Sequence, residues 1–268
     1  MSEETRDPER RDRIAKHYAI ATEKLEGSYP GDLKLGSRGS GVKRLQEWLW
    51  FHYNTIVIDG VFGTQTESIL DNYIEHSALT EAIWNTLTDE FRSFHNLGRF
   101  SEDQLTVPPP EMLRVLALDS LHWDIAEIPP NRGPWVRTFN QRDGVEQAWC
   151  AGFVSYLIRQ VSCIIHDENE FKYPNSVRCD ELAKWGVVNG VFRHGWNDDI
   201  GEGAVFLVPS PTQFEHWIHT GIVVDTSNPD FITTVEGNSN EDGGREGTRV
   251  VLHQRQKNSV QYLKTVFV

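Results

Sequence analysis

Cys150, His219 and a pair of polar residues, Glu236 and Asn238, follow one another in an order that suits covalent catalysis by sulfur. Such chemistry needs a sulfur held as thiolate, a base that later serves as the acid for a leaving amine, and a polar group that orients the base. Cys150 stands where the loop DGVEQAW gives way to the apolar stretch CAGFVSYLI, so it should open a helix. The unpaired amides of a helix start lower a thiol pKa and can hold an oxyanion. Trp149 precedes the thiol, and the small residues Ala151 and Gly152 that follow it leave the backbone there unobstructed. His219 begins the run TGIVVD, and Glu236 and Asn238 close the next run in TVEGNSN. If these two strands pair, the imidazole has one of the two polar side chains as a cross-strand neighbour. Either can be the orienting group, and both also suit a hairpin turn.

The remaining sulfur and imidazole groups read more plainly. Cys163 and Cys179 sit in mixed apolar surroundings and are expected to be buried, inert thiols. His166, His194 and His216 have no strand-end setting comparable to that of His219.

The elements that must position these residues fall into two groups. Residues 1–30 form a charged arm or leader helix, with a weak stripe of Ile14, Tyr18 and Ile20. In 31–88, Val42, Leu45, Trp48 and Leu49 have helical spacing, and Asp59-Gly60 marks a turn. Thr64 and Glu67 look like a capping box opening a helix through Ile69, Leu70 and Tyr73, and a third short helix runs around Ile83, Trp84 and Leu87. Residues 89–110 end in Pro108, Pro109 and Pro110 and are expected to be an extended linker.

From 111 to 268, a helix through Leu113, Val115, Leu116 and Leu121 and another from Trp149 to Val161 precede five β-branched runs, AVFLV, TGIVVD, FITTVEG, TRVVLH and VQYLKTVFV. The segment DTSNPD between two of these reads as a hairpin loop. Helices first and sheet second make an α+β domain: a small helical bundle followed by helices packed on an antiparallel sheet.

Composition bounds the function. The chain has 268 residues, of which 38% are hydrophobic and 24% charged, enough to fold into packed cores. A net charge of −13 argues against nucleic acid and against attraction to anionic lipid. Three cysteines do not make a disulfide framework. The N-terminus MSEETRDPERRDR lacks the apolar core of a Sec-type signal, and no run is long enough to span a bilayer, so synthesis in the cytoplasm without membrane insertion is expected.

Two stretches carry family resemblances. WCAGFVSYL, HTGIVV and VEGNSN together resemble the CHAP amidohydrolase/peptidase families and related papain-like wall hydrolases. EIPPNRGPW, with Glu127, Asn131 and Gly133, looks like the lead-in to the cysteine in that group. LKLGSRGSGVKRLQEWL followed by DGVFGTQTESIL resembles the peptidoglycan-binding module, whose pattern D-G-x-F-G-x-x-T places Asp59 and Phe62 in its turn.

The first resemblance implies a papain-like fold over 111–268 with Cys150, His219 and Glu236 or Asn238 as catalytic residues, and substrate contacts from Glu127, Asn131 and Trp149. The second implies a wall-binding module over 31–88 with ligand contacts from Asp59 and Phe62. The implied activity is cleavage of an amide bond in a peptidoglycan stem peptide or cross-bridge, in periplasm or cell wall after non-classical export or lysis. An injected antibacterial toxin or a phage lysin fits that setting, and the acidic balance leans towards the toxin; an inhibitor (immunity) protein and a secretion-apparatus component are then the expected partners. Some CHAP enzymes bind calcium through aspartates flanking the cysteine, whereas this flank keeps only Asp143 and Glu146, so no metal and no cofactor are expected. The alternatives are a noncatalytic wall-binding protein and a thiol amidase with a substrate outside the wall.

Overall fold

The computed structural model describes residues 26–75, 78–95, 107–141, 147–165, 172–240 and 247–268. Among them are eight α-helices and a six-stranded antiparallel sheet, an α+β fold. Most of the expected N-terminal arm, together with Asp143, Glu146 and His166, lies outside the described residues.

Helix α1 (Ser40–Trp50) buries Val42, Leu45, Trp48 and Leu49, the face its spacing dictates. Helix α2 (Thr64–Ile74) begins where expected, but not by a capping box. Gly63 occupies the cap position and Thr64 is already helical, so the threonine hydroxyl makes no cap bond. The connection between α1 and α2 is held instead by the buried amide of Gln46. Its Oε1 accepts from the Asp59 and Gly60 amides at 3.1 and 2.8 Å, and its Nε2 donates to Asp59 Oδ1 at 2.9 Å.

Helix α3 (Glu81–Leu87) is followed directly by α4 (Asp89–Phe94), inside the stretch expected to be an extended linker. Phe91 and Phe94 are the reason, because both are buried and a helical turn places them on one face. The proline triplet is also not extended throughout: α5 (Pro109–Asp119) starts within it. A proline in the first turn costs nothing there, since its missing amide is one the helix leaves unpaired anyway.

Helices α6 (Pro134–Asn140), α7 (Cys150–Ile165) and α8 (Cys179–Val188) then lead into the sheet. The strands are β1 (Phe192–Arg193), β2 (Val205–Pro209), β3 (Trp217–Asp225), β4 (Phe231–Ser239), β5 (Arg249–Gln256) and β6 (Gln261–Leu263), in the order β1-β6-β2-β3-β4-β5. Alternation gives the sheet two apolar faces. Val205, Leu207, Ile222, Val224, Val235 and Leu263 join the main core with α5, α7 and α8. Phe206, Val223, Ile232 and Tyr262 form a smaller cluster on the other side with Ile200 and Val260.

The main core is continuous from α1 to the sheet. Phe91 and Phe94 of α4 meet Trp135 of α6 with ring centroids 4.9 and 5.4 Å apart, and Phe94 stacks on Tyr156 of α7 at 5.9 Å. Arg137 of α6 adds a buried clamp: its guanidinium bonds Glu26 at 2.6 Å and Glu47 of α1 at 2.6 Å. Burial opposes the charge on Arg137, but the two carboxylates outweigh that and hold its pKa above the usual value. No helix among the described residues is long and apolar enough to cross a membrane.

Candidate active site

Two glycines set where the thiol sits. Cys150 is the first residue of α7, and that helix rests on β4 at Gly237, where an added Cβ would lie 2.8 Å from both Phe153 and the Trp149 ring. Gly152 permits a second close approach. A Cβ there would fall 2.2 Å from Asn140 Oδ1 and 3.0 Å from the Phe139 carbonyl, so the end of α6 packs against the backbone that the sequence reads as unobstructed. Asn140 in turn donates to the Gln147 carbonyl at 3.1 Å, tying down the chain just before the cysteine.

Strands β3 and β4 pair antiparallel, as the site requires. His219 Nε2 lies 2.9 Å from Glu236 Oε2, and both side chains are almost fully buried. Gly221 makes room for this: a Cβ there would meet Glu236 Cγ at 3.1 Å. Glu236 is itself anchored. Arg255 of β5 donates to both of its oxygens, at 2.6 and 2.5 Å, and the Thr234 hydroxyl donates to Oε1 at 2.6 Å. Arg255 also lies over the Phe206 ring at 5.1 Å.

Asn238, the other candidate for the orienting role, is fully buried in the left-handed region (φ 55) at a register irregularity of β4. Of the two, Glu236 is the one that bonds the imidazole.

These contacts move the titrations in a consistent direction. Burial works against an ionised Glu236, but hydrogen bonds from His219 and Arg255 outweigh it and bring the carboxyl down to about 2. Burial likewise disfavours imidazolium, yet Cys150 and Glu236 raise His219 to about 9. Cys150 lies well below an ordinary thiol: a hydrogen bond from Cys179 contributes most, against burial, with further help from His219 and the Ala151 amide. With Nε2 taken by Glu236, Nδ1 is the nitrogen left to serve the sulfur. It has no hydrogen-bond partner of good geometry among the described residues, while the sulfur and the imidazole still shift each other's titration. Catalytic contacts commonly tighten only when substrate binds.

The residues expected to contact substrate fall in two places. Glu127, Asn131 and Trp149 come together: the fully buried Trp149 donates from Nε1 to Glu127 Oε2 at 2.7 Å, and the Asn131 backbone amide donates to Glu127 Oε1 at 3.1 Å. This braces the start of α7, because an indole N–H buried there must find an acceptor, and Glu127 also lines an open pocket with Trp50, Asn54 and Arg249. Phe62 is fully buried between α1 and α2 and packs the core. Asp59 is exposed, with Oδ1 engaged by Gln46 and the Val61 amide.

Sequence reasoning missed Arg255, and it placed Cys179 correctly as a buried thiol without finding its position beside Cys150. The Cys179 sulfur lies 3.9 Å from that of Cys150. The signal available was the acidic pair Asp180-Glu181, which marks the first turn of a helix beginning at Cys179. His216 is also placed: it bonds Asp180 Oδ2 at 2.9 Å, while Asp180 Oδ1 accepts from the Trp217 amide at 2.7 Å, so α8 is fastened to β3 beside the site. No protein-family model, curated protein or solved structure matches this chain.

Proposed function

We propose that the chain is a thiol hydrolase that cleaves an amide bond of peptidoglycan, with Cys150 as nucleophile, His219 as base and acid, and Glu236 as the group that orients and charges the imidazole. The observation that carries this reading is the buried relay from Arg255 through Glu236 to His219, ending at a thiol on a helix start. A buried carboxylate locked to an arginine and to a histidine costs a fold much unless it serves something beyond packing.

In the proposed reaction the Cys150 thiolate attacks the amide carbonyl, and the tetrahedral oxyanion is held by amides at the start of α7. The His219 imidazolium gives its proton to the departing amine as the C–N bond breaks, leaving a thioester. Neutral His219 then takes a proton from water, which attacks the thioester and releases the carboxylic acid and the thiolate. The Glu236 carboxylate keeps the ring oriented throughout and stabilises its charged form.

The wall as target rests on the resemblances of 31–88 and 111–268, supported by the Gln46-braced turn at Asp59-Gly60. A thiol amidase acting outside the wall is the second reading, favoured by the burial of Phe62, which removes one of the module's two expected ligand contacts. Purified sacculi separate the two. Wild-type protein is expected to release muropeptides whose masses identify the cut bond, and Cys150→Ser to release none. Full lysis by Cys150→Ser would sink the assignment of the nucleophile. Wild-type protein that leaves sacculi intact yet cleaves a soluble amide such as glutathionylspermidine would select the second reading.

A further inference from the structure

Cys179 makes and breaks no covalent bond in the reaction above, yet its Sγ lies 3.9 Å from that of the nucleophile. The two cysteines are the first residues of α7 and α8, so the positive ends of two helices converge on one pair of sulfurs. Cys179 is held there from outside the pair by Asp180, which bridges to His216 and to the start of β3. No disulfide joins them, and both are buried free thiols.

We infer that Cys179 is a resolving thiol, and that Cys150 and Cys179 form a reversible disulfide that caps the nucleophile when the protein meets peroxide. The inference rests on Cys150 being the reactive thiolate of the proposed hydrolase. The two sulfurs divide the roles that such a reaction needs: Cys150 is held as thiolate, while its neighbour and burial push the Cys179 thiol above its usual pKa, so Cys179 keeps its proton and donates it towards Cys150. A thiolate beside a protonated partner is the arrangement in which oxidation stops at a disulfide instead of climbing to sulfinic acid.

The steps balance. The Cys150 thiolate attacks one peroxide oxygen, the O–O bond breaks, and sulfenic acid and hydroxide result. Hydroxide takes the Cys179 proton to become water. The Cys179 sulfur then attacks Cys150 Sγ, the S–S bond forms as the S–O bond breaks, and the hydroxide released takes the His219 imidazolium proton to become a second water. Two electrons pass from the two thiols to one peroxide. Closing the sulfurs from 3.9 Å to the ~2.05 Å of a disulfide asks for a shift of about 1.9 Å. Cys163 cannot compete, because it lies thirteen positions further along α7, about 20 Å at 1.5 Å per residue.

The test uses the full chain treated with about three molar equivalents of hydrogen peroxide, one more than sulfinic acid requires, and read by intact mass and by peptide mapping without reductant. Wild-type protein is expected to lose two hydrogens, to show a cross-linked peptide pair containing Cys150 and Cys179, and to regain both thiols in dithiothreitol. Cys163→Ser should behave identically. Cys179→Ser and Cys179→Ala are expected to gain two oxygens on Cys150, irreversibly. A wild-type chain that yields no such cross-link, or a Cys179→Ser chain whose Cys150 thiol returns as fully as the wild type's, overturns the inference. Because the readout is mass, a chain that forms the disulfide but leaves sacculi intact would refute the wall reading alone.

Discussion

Glu236 takes hydrogen bonds from His219, Thr234 and Arg255, and that convergence makes it the residue whose ionisation is expected to govern both stability and the proposed activity. For activity, the thiolate–imidazolium pair exists from the depressed Cys150 pKa up to that of His219, about 9. The rate on a soluble muropeptide should therefore fall on the alkaline side near pH 9 as the imidazolium loses the proton owed to the leaving amine. Glu236→Gln removes the charge that favours imidazolium, so its alkaline limb should move to lower pH and its rate drop by ~10² to 10⁴. An unmoved limb would show that Glu236 does not act through His219.

For stability the signs differ between the two groups. Glu236 is depressed from 4.5 to about 2, so its contribution is present above pH 4.5 and is lost as pH falls towards 2. His219 is raised from 6.5 to about 9, so its contribution is present below pH 6.5 and is lost as pH climbs through 9. Arg255→Met should cost about 3 kcal/mol at neutral pH, as expected for removing one partner of a buried pair. It should also flatten the acid limb of a denaturant-monitored stability profile, because the Glu236 pKa returns towards its unfolded value. Arg255→Lys, which keeps the charge but loses the two-pronged contact, should fall between.

Single elements explain what the sequence could and could not reveal. The face of α1, the start of α7 and the pairing of β3 with β4 follow from period and β-branching, and they were legible because each is decided by neighbours along the chain. Helix α4 and the short β6 were not: Phe91 and Phe94 become helical because a distant Trp135 receives them, and β6 keeps only three residues of its long apolar run. The choice between Glu236 and Asn238 was hidden for the same reason, since Arg255 comes from another strand. What the sequence did carry, unread, was the glycine between them. Gly237→Ala should force α7 off β4 against the 2.8 Å contacts with Phe153 and Trp149. The expected cost is about 1–3 kcal/mol of stability, with a larger proportional loss of turnover because Cys150 moves with the helix. Equal turnover in the folded variant would show that the position of α7 is not what aligns the thiol.

At the scale of the whole molecule, the helical region and the sheet region are joined by more than a linker. The aromatic chain Phe91, Phe94, Trp135 and Tyr156 lies in one core, and the Arg137 clamp to Glu26 and Glu47 crosses the same boundary. Arg137→Ala leaves two buried carboxylates without their cation, so it should cost about 3–5 kcal/mol and lower the midpoint of a single thermal transition. Two separated transitions would instead mean that the regions unfold independently. The stronger prediction concerns removal of the helical region altogether. A chain beginning at residue 107 keeps the Cys150, His219, Glu236 and Arg255 relay in full but uncovers Trp135 and Tyr156, which the intact fold leaves almost no surface. Burying that aromatic area is a large share of what such a core gains. The fragment is therefore expected to bind a hydrophobic dye, to lose near-ultraviolet circular dichroism and to be inactive even on a soluble muropeptide. A cooperative, dye-silent fragment that still cleaves the soluble substrate would show that the helical region serves only to hold the polymer. The fold argues for the opposite, because the helices of 31–94 share one core with the helix that carries Cys150.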